Sequence, residues 1–275
     1  MSGFDSLFGG VKPVLGMIHL PPLPGSPAGG GMERALETAA ADAETLVAAG
    51  VDGLIVENFG DSPFAKENVP PVTVAAMAIV VAEIRRRHNV ALGVNVLRND
   101  ARAALSIAAA TGADFIRVNV HIGAVVADQG IVEGRARETL LLRRELGSRA
   151  LLFADLRVKH AAPLAGGDLV QDARDAFGRG AADALILSGA ATGAEADPAE
   201  FARVKDAVPA APLLVGSGAS AGNVGRFWPV CDGMIVGSSL KTGNDARGPV
   251  DPARAREFTA AVARLRRGDA RENES

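Results

Sequence analysis

The chain of 275 residues has a single cysteine, Cys231. That excludes an internal disulfide and any cysteine-based zinc site, and it suits a reducing compartment. No window approaches the roughly 18 uninterrupted apolar residues of a membrane span. The opening residues MSGFDSLFGGVKP lack the basic segment and apolar run of a secretion signal. A cytoplasmic protein without a membrane span is expected. Lysine is scarce, 5 against 24 arginines, and the arginines are scattered along helical stretches rather than gathered in a block. With a formal net charge of -3 and a pI near 5.9, the chain has no electrostatic footprint of a nucleic-acid binder. What is present in quantity is apolar: 48% hydrophobic against 22% charged residues, enough for a large core. No composition break or low-complexity linker separates two parts, so residues 1–275 read as one domain, with 1–12 an N-terminal extension and 267–275 a frayed tail.

Eight short runs rich in Val, Ile, Leu and Gly recur along the chain: Val14 to His19, Gly53 to Phe59, Leu92 to Arg98, Phe115 to His121, Leu151 to Val158, Ala184 to Gly189, Pro212 to Gly218 and Gly233 to Ser239. Helical spacing fills the gaps, as where Met32, Ala35, Leu36, Ala39, Ala43, Leu46 and Val47 share a face. Asp197-Pro198 and Asp251-Pro252 place a capping acid before a proline in the first turn. Gly50, Gly112 and Gly180, each shortly before an Asp, are expected to supply the left-handed residue that ends a helix. His88 ends another helix and is expected to be solvated. Strict strand–helix alternation repeated eight times in about 250 residues predicts an α/β fold, the (β/α)8 TIM barrel. An open doubly wound sheet is disfavoured, because after Gly216 and Gly218 the third glycine position of the dinucleotide fingerprint holds Ala221.

In such a barrel chemistry collects where strands end. The predicted ends carry His19, Glu57 and Asn58, Asn95 and Arg98, Arg117, Asn119 and His121, Asp155, Lys159 and His160, then Ser188. Alternation places Arg117, Asn119 and His121 on one face of the fourth strand, and Asp155, Arg157 and Lys159 on one face of the fifth, both turned into the barrel. Charges there need partners or a ligand. Glu57 and Asp155 are the candidate acid–base pair, with His121 or His160 as alternative proton carriers and Lys159 as a Schiff-base candidate or an ion-pair partner of Asp155. His19, Asn58, Asn95, Arg98, Arg117, Asn119 and Ser188 are the expected substrate-orienting groups. No cofactor is firmly implied; a divalent metal on Glu57, Asp155 and a histidine suits the residue types but has no compact ligand motif behind it.

Two further segments point to phosphate. Gly216, Ser217 and Gly218 follow the seventh run, and Gly237 and Ser238 follow the eighth. Small residues there let backbone N–H groups approach an oxyanion, and in this architecture those two loops form the recurrent phosphate cradle. Residues 21–31 and 122–132 are long insertions that read as lids.

GMIHLPPLPGSP (Gly16 to Pro27), VENFGDSPF (Val56 to Phe64), GVNVLRNDARAAL (Gly93 to Leu105), the stretch from Gly112 to Gly134, ADLRVKHA (Ala154 to Ala161), ALILSGAATG (Ala184 to Gly193) and LLVGSGAS (Leu213 to Ser220) together resemble the BtpA/SgcQ family, from about Val14 to Lys241. The resemblance implies a TIM-type barrel of the ribulose-phosphate-binding kind. It associates the chain with photosystem I biogenesis through a cyanobacterial member and with carbohydrate-uptake genes through enteric ones, without a settled reaction. The resulting expectation is an isomerase, epimerase or lyase working by acid–base chemistry on a phosphorylated sugar or nucleoside-type molecule. A non-catalytic assembly factor of the photosystem I biogenesis type and a phosphometabolite sensor stand as alternatives. A homo-oligomer is the general expectation for barrels of this size.

Overall fold

The structure is a computed structural model that describes residues 2–158, 160–165, 167–189 and 196–273. Its strands are β1 (Val14–His19), β2 (Gly53–Glu57), β3 (Ala91–Asn95), β4 (Phe115–Val118), β5 (Ala124–Ala127), β6 (Gly130–Glu133), β7 (Leu151–Asp155), β8 (Ala161–Pro163), β9 (Ala184–Leu187), β10 (Leu213–Val215) and β11 (Gly233–Val236). Its α-helices are α1 (Gly3–Phe8), α2 (Met32–Ala48), α3 (Pro71–Arg87), α4 (Ala101–Thr111), α5 (Ala136–Glu145), α6 (Leu169–Arg174), α7 (Pro198–Ala207), α8 (Val224–Phe227) and α9 (Pro252–Asn273). Eight parallel strands close a barrel in the order β1-β2-β3-β4-β7-β9-β10-β11. This is the expected TIM barrel, although most of its strands stop earlier than the apolar runs do. β4, for example, leaves its ladder at Val118 rather than at His121.

Strand alternation sorts the core in two. Leu15, Met17, Ile55, Phe115, Phe153, Ile186, Leu214 and Ile235 fill the interior, while Ile18, Leu54, Val56, Val94, Ile116 and their neighbours pack against the helices. Phe115 stacks on Phe153 with ring centroids 4.5 Å apart. Only glycine fits beside them on β3, because a Cβ on Gly93 would lie 2.2 Å from the Phe115 ring. The N-terminal extension has a structural role here. A capping box between Ser2 and Asp5 starts α1, and its Phe4 and Phe8 close the barrel floor against Phe153 and Phe115, at centroid distances of 5.8 and 6.5 Å.

One device recurs at the floor. Asp52, Asp114, Asp183 and Asp232 each stand just before a strand, and each accepts the N–H of the first or second residue of the preceding barrel strand. The donors are Val14 (2.7 Å), Leu92 (2.8 Å), Leu152 (2.8 Å) and Leu213 (2.7 Å). The backbone N–H of each Asp returns a bond to the carbonyl of that same residue, at 2.7 to 2.9 Å. A cation completes every pair: Arg266, Arg85, Arg143 and Lys205. The barrel is thus fastened as four two-strand quarters.

Several local expectations need correction. Gly50 and Gly112 are left-handed as anticipated, but at the third turn the left-handed residue is Ala181 (φ +49°). Gly180 keeps a helical backbone because its N–H closes a π-helical turn onto the Asp175 carbonyl at 2.7 Å. His88 is not solvated: its side chain is 8% exposed, packed at the end of α3 near Glu44. The helix α9 runs into the segment expected as a tail, reaching Asn273, and there Asp269 accepts from the Trp228 indole N–H (2.8 Å). The insertion expected as a loop over 122–132 contains the β5–β6 hairpin, to which β8 adds a third antiparallel strand. Among the described residues no helix is long and apolar enough to cross a membrane.

Candidate functional site

Ladder register builds the site's base. His19 pairs with Glu57, Glu57 with Asn95 and Asn95 with Arg117 across β1, β2, β3 and β4, so four inward residues lie side by side on neighbouring strands. The Asn95 amide donates to Glu57 Oε2, and His19 Nε2 faces Glu57 Oε1 at 3.7 Å. The Ala246 carbonyl lies 2.8 Å from His19 Nδ1 and can only accept, so Nδ1 carries the hydrogen and Nε2 is the end turned toward the carboxylate. The ring also stacks on Phe59, with centroids 4.5 Å apart.

One step up the wall, Asp155 accepts two bonds from Arg117, both 3.0 Å, and one from the Asn119 amide at 2.7 Å. Burial alone would lower the Arg117 pKa, but the Asp155 carboxylate outweighs it and holds the guanidinium above its ordinary value. Both Asp155 oxygens are therefore engaged. Asn119 keeps its Oδ1 without a partner among the described residues although it is only 5% exposed, and it lines the cavity. Arg98 lines it too. Burial draws its pKa below the ordinary guanidinium value, against the pull of Asp155, Asp128 and Glu57.

Across the ring lie the loops after β10 and β11. Gly218 is left-handed (φ +77°). Asn223 braces its loop, accepting from the Ser220 N–H and donating to the Gly218 carbonyl, both at 2.8 Å. Gly216 packs closely on its neighbours, since a Cβ would meet Ser188 Oγ at 2.3 Å and the Ile186 side chain at 2.5 Å. In the β11 loop the amides of Ser238 and Ser239 precede the first bond of a 3₁₀ turn, from Leu240 N–H to the Gly237 carbonyl. Ser239 Oγ ties the two loops together through the Ala219 carbonyl at 2.7 Å. His19 reaches them as well: its Cε1 would be 3.2 Å from a Cβ on Gly237. A cavity of about 620 Å³ is lined by both loops and by the polar base.

Of the residues singled out by sequence, His19, Glu57, Arg98, Arg117, Asn119, His160, Gly216, Ser217, Gly218, Gly237 and Ser238 line this one cavity. Asn95 and Asp155 stand directly behind, bonded to its lining. His160 is exposed at the rim with a left-handed backbone (φ +56°). Lys159 lies outside the described residues. His121 turns away from the mouth: its Nε2 lies 2.8 Å from the Gly180 carbonyl. Arg157 likewise leaves the interior and donates to the Gly167 carbonyl. Asn58 is a wall brace rather than a cavity group, accepting from Leu97 N–H at 2.7 Å and donating to Asp61 at 3.1 Å. Ser188 is buried behind Gly216.

Sequence reasoning missed Arg247 and Asn244, which reach the mouth because a buried ion pair, Lys241 Nζ to Asp42 at 3.2 Å, anchors the start of their loop. It also missed Asp128 at the tip of the β5–β6 hairpin and the apolar wall of Phe64, Leu97 and Val158. Their types carried no signal, since position alone brings them to the cavity. Among the described residues no group of three or more His, Cys, Asp or Glu is arranged to hold a metal ion, and Asp155 has its oxygens turned to Arg117 and Asn119.

A model of the BtpA family matches residues 10–264. Photosystem I biogenesis protein BtpA of Synechocystis is 44% identical over 253 residues, 92% of this chain and 88% of that protein. An uncharacterized protein of Thermococcus kodakarensis is 46% identical over 256 residues, 93% of this chain and 97% of that one. Among solved structures, N-(5'-phosphoribosyl)anthranilate isomerase from Pyrococcus furiosus aligns with a TM-score of 0.55 at 16% identity, covering 92% of this chain and 99% of that one. A structure titled native KDPGal aligns with a TM-score of 0.57 at 14% identity, covering 92% and 95%. These last two likenesses concern the fold alone.

Proposed function

The chain belongs to the BtpA family, and from that premise we propose that it is an enzyme acting by acid–base chemistry on a phosphorylated sugar or nucleoside-type molecule, as an isomerase, epimerase or lyase. One observation carries the reading. A carboxylate and an imidazole in register on β1 and β2 share a single cavity with two small-residue loops whose amides suit an oxyanion. The phosphate is assigned to Gly216, Ser217, Gly218, Gly237 and Ser238, with Arg247 at the rim adding positive charge.

Glu57 is the acid–base group. Asn95 fixes one of its oxygens and leaves the other toward His19, whose Nδ1–H is tied to a backbone carbonyl, so the Nε2 end exchanges the proton. Asp155, fully engaged by Arg117 and Asn119, is a positioning residue: it keeps Arg117 aligned and frees Asn119 Oδ1 to accept a substrate hydroxyl. Arg98 and Arg117 would stabilise negative charge developing on a substrate oxygen.

Thermal-shift titration with ribose 5-phosphate, ribulose 5-phosphate, nucleoside monophosphates and inorganic phosphate tests the pocket, and no stabilisation at millimolar concentration would end the reading. With a stabilising ligand in heavy water, the wild type should wash deuterium into a substrate carbon, followed by NMR. Glu57→Gln should slow this by about 10²- to 10⁴-fold. A ligand that binds equally to both proteins without any exchange or conversion would instead favour a metabolite sensor. Such a non-catalytic role would fit the biogenesis function printed in the name of the Synechocystis relative.

A further inference from the structure

The cavity has a third part that a bare sugar phosphate would leave wet. Phe64, Leu97 and Val158 line it on loops following β2, β3 and β7. In the ring order β3 stands opposite β10, so Leu97 faces the β10 phosphate loop across the mouth, and Phe64 follows the neighbouring strand β2.

This wall is built rather than incidental. The Arg98 N–H donates to the Ala65 carbonyl at 2.9 Å, which joins the β3 loop to the β2 loop. Asn58 Oδ1 accepts the Leu97 N–H, and Asp61 holds both the Asn58 amide and the Leu23 N–H, the latter at 2.8 Å. Asn58 and Asp61 are themselves buried, and burial raises the Asp61 pKa. Phe59 has one face occupied by His19, whereas Phe64 is half-buried and has no aromatic neighbour among the described residues. A stiff apolar surface next to a guanidinium, a cavity's width from an anion cradle, suits a flat ring system with polar edges.

Resting on the phosphate reading above, we infer that the substrate is a phosphorylated pentose bearing a planar, nucleobase-like substituent. Its phosphate would lie in the Gly216–Ser220 and Gly237–Ser239 loops, and its ring against Phe64, Leu97 and Arg98. The pentose carbons then span the middle, over Glu57 and His19.

Calorimetric titration of the full chain with ribose 5-phosphate, inosine 5'-monophosphate and uridine 5'-monophosphate separates this inference from its premise, because all three probes carry the same phosphate. At least one nucleotide should bind about tenfold or more tightly than ribose 5-phosphate, the scale of one base stacked on an aromatic side chain. In Phe64→Ala that advantage should vanish while ribose 5-phosphate binding is unchanged. Phe64→Leu, which keeps the volume, should retain part of it and guards against misfolding of the smaller variant. If ribose 5-phosphate binds as tightly as both nucleotides, the ring subsite is wrong and the phosphate cradle stands. If none of the three binds at millimolar concentration, the cradle itself is wrong.

Discussion

His121 sits three residues beyond the end of β4, where its ring is buried with Nε2–H donated to the Gly180 carbonyl and Nδ1 left without a partner among the described residues. Burial holds its pKa below the ordinary 6.5. Above that pH the ring is neutral in folded and unfolded chains alike, and it adds no pH dependence. As pH falls through 6.5 the unfolded chain takes up a proton that the folded chain refuses, so stability drops until the lower folded pKa is passed. Urea denaturation between pH 7.5 and 5 should therefore show a decline that is shallower in His121→Phe, and parallel profiles would refute the assignment. The same residue shows where reading strand ends from sequence runs out. Inward alternation is enforced by ladder hydrogen bonds, and it persists as far as Asn119, one residue past β4. At His121 and Arg157 no ladder remains, and each side chain bonds a backbone carbonyl outside the barrel interior. Glu57, Asn95 and Arg117, still within their ladders, were legible.

Among the elements, the floor clamps decide how strands start. Each pairs a partly exposed carboxylate with one strand N–H and one cation, so the contribution is moderate. Asp114→Ala should lower stability by about 1 to 2 kcal/mol in urea denaturation, the cost of an unmet strand N–H with a solvent-screened ion pair lost. Asp114 and Asp232 share no partner, so their double variant should be additive within about 0.5 kcal/mol. A large coupling between them would show that the quarters are not independent. The eight strands were readable because buried parallel strands are runs of branched apolar residues, and the two Asp-Pro caps because their chemistry is local. The clamps were in plain view as an Asp before alternate strands, yet three of them were read as part of a turn and Asp232 was passed over, because their partner lies on the neighbouring strand. The β5–β6 hairpin was hidden by its four-residue strands, too short for any alternation to stand out.

For the molecule as a whole, α1 is the least expected part, since six residues ahead of the first strand offer no periodicity that marks them as core. Phe4 and Phe8 are nevertheless 4% and 7% exposed. Deleting residues 2–9 should cost about 3 kcal/mol or more, from the loss of two buried phenylalanines. It should also raise binding of a hydrophobic dye to the uncovered Phe115 and Phe153. Emission from the one tryptophan, Trp228, whose partners Lys12 and Asp269 both lie outside the deleted segment, should stay unchanged. An unaltered melting temperature would mean that the helix merely rests on the barrel.

Because packed side chains fill the barrel beneath Glu57 and Asn95, and that aromatic stopper closes the floor, the cavity at the mouth is blind at its base. Whatever enters must leave by the route it came, past the tip of the hairpin that carries Asp128. For the enzyme proposed above, departing and arriving molecules would therefore share one passage.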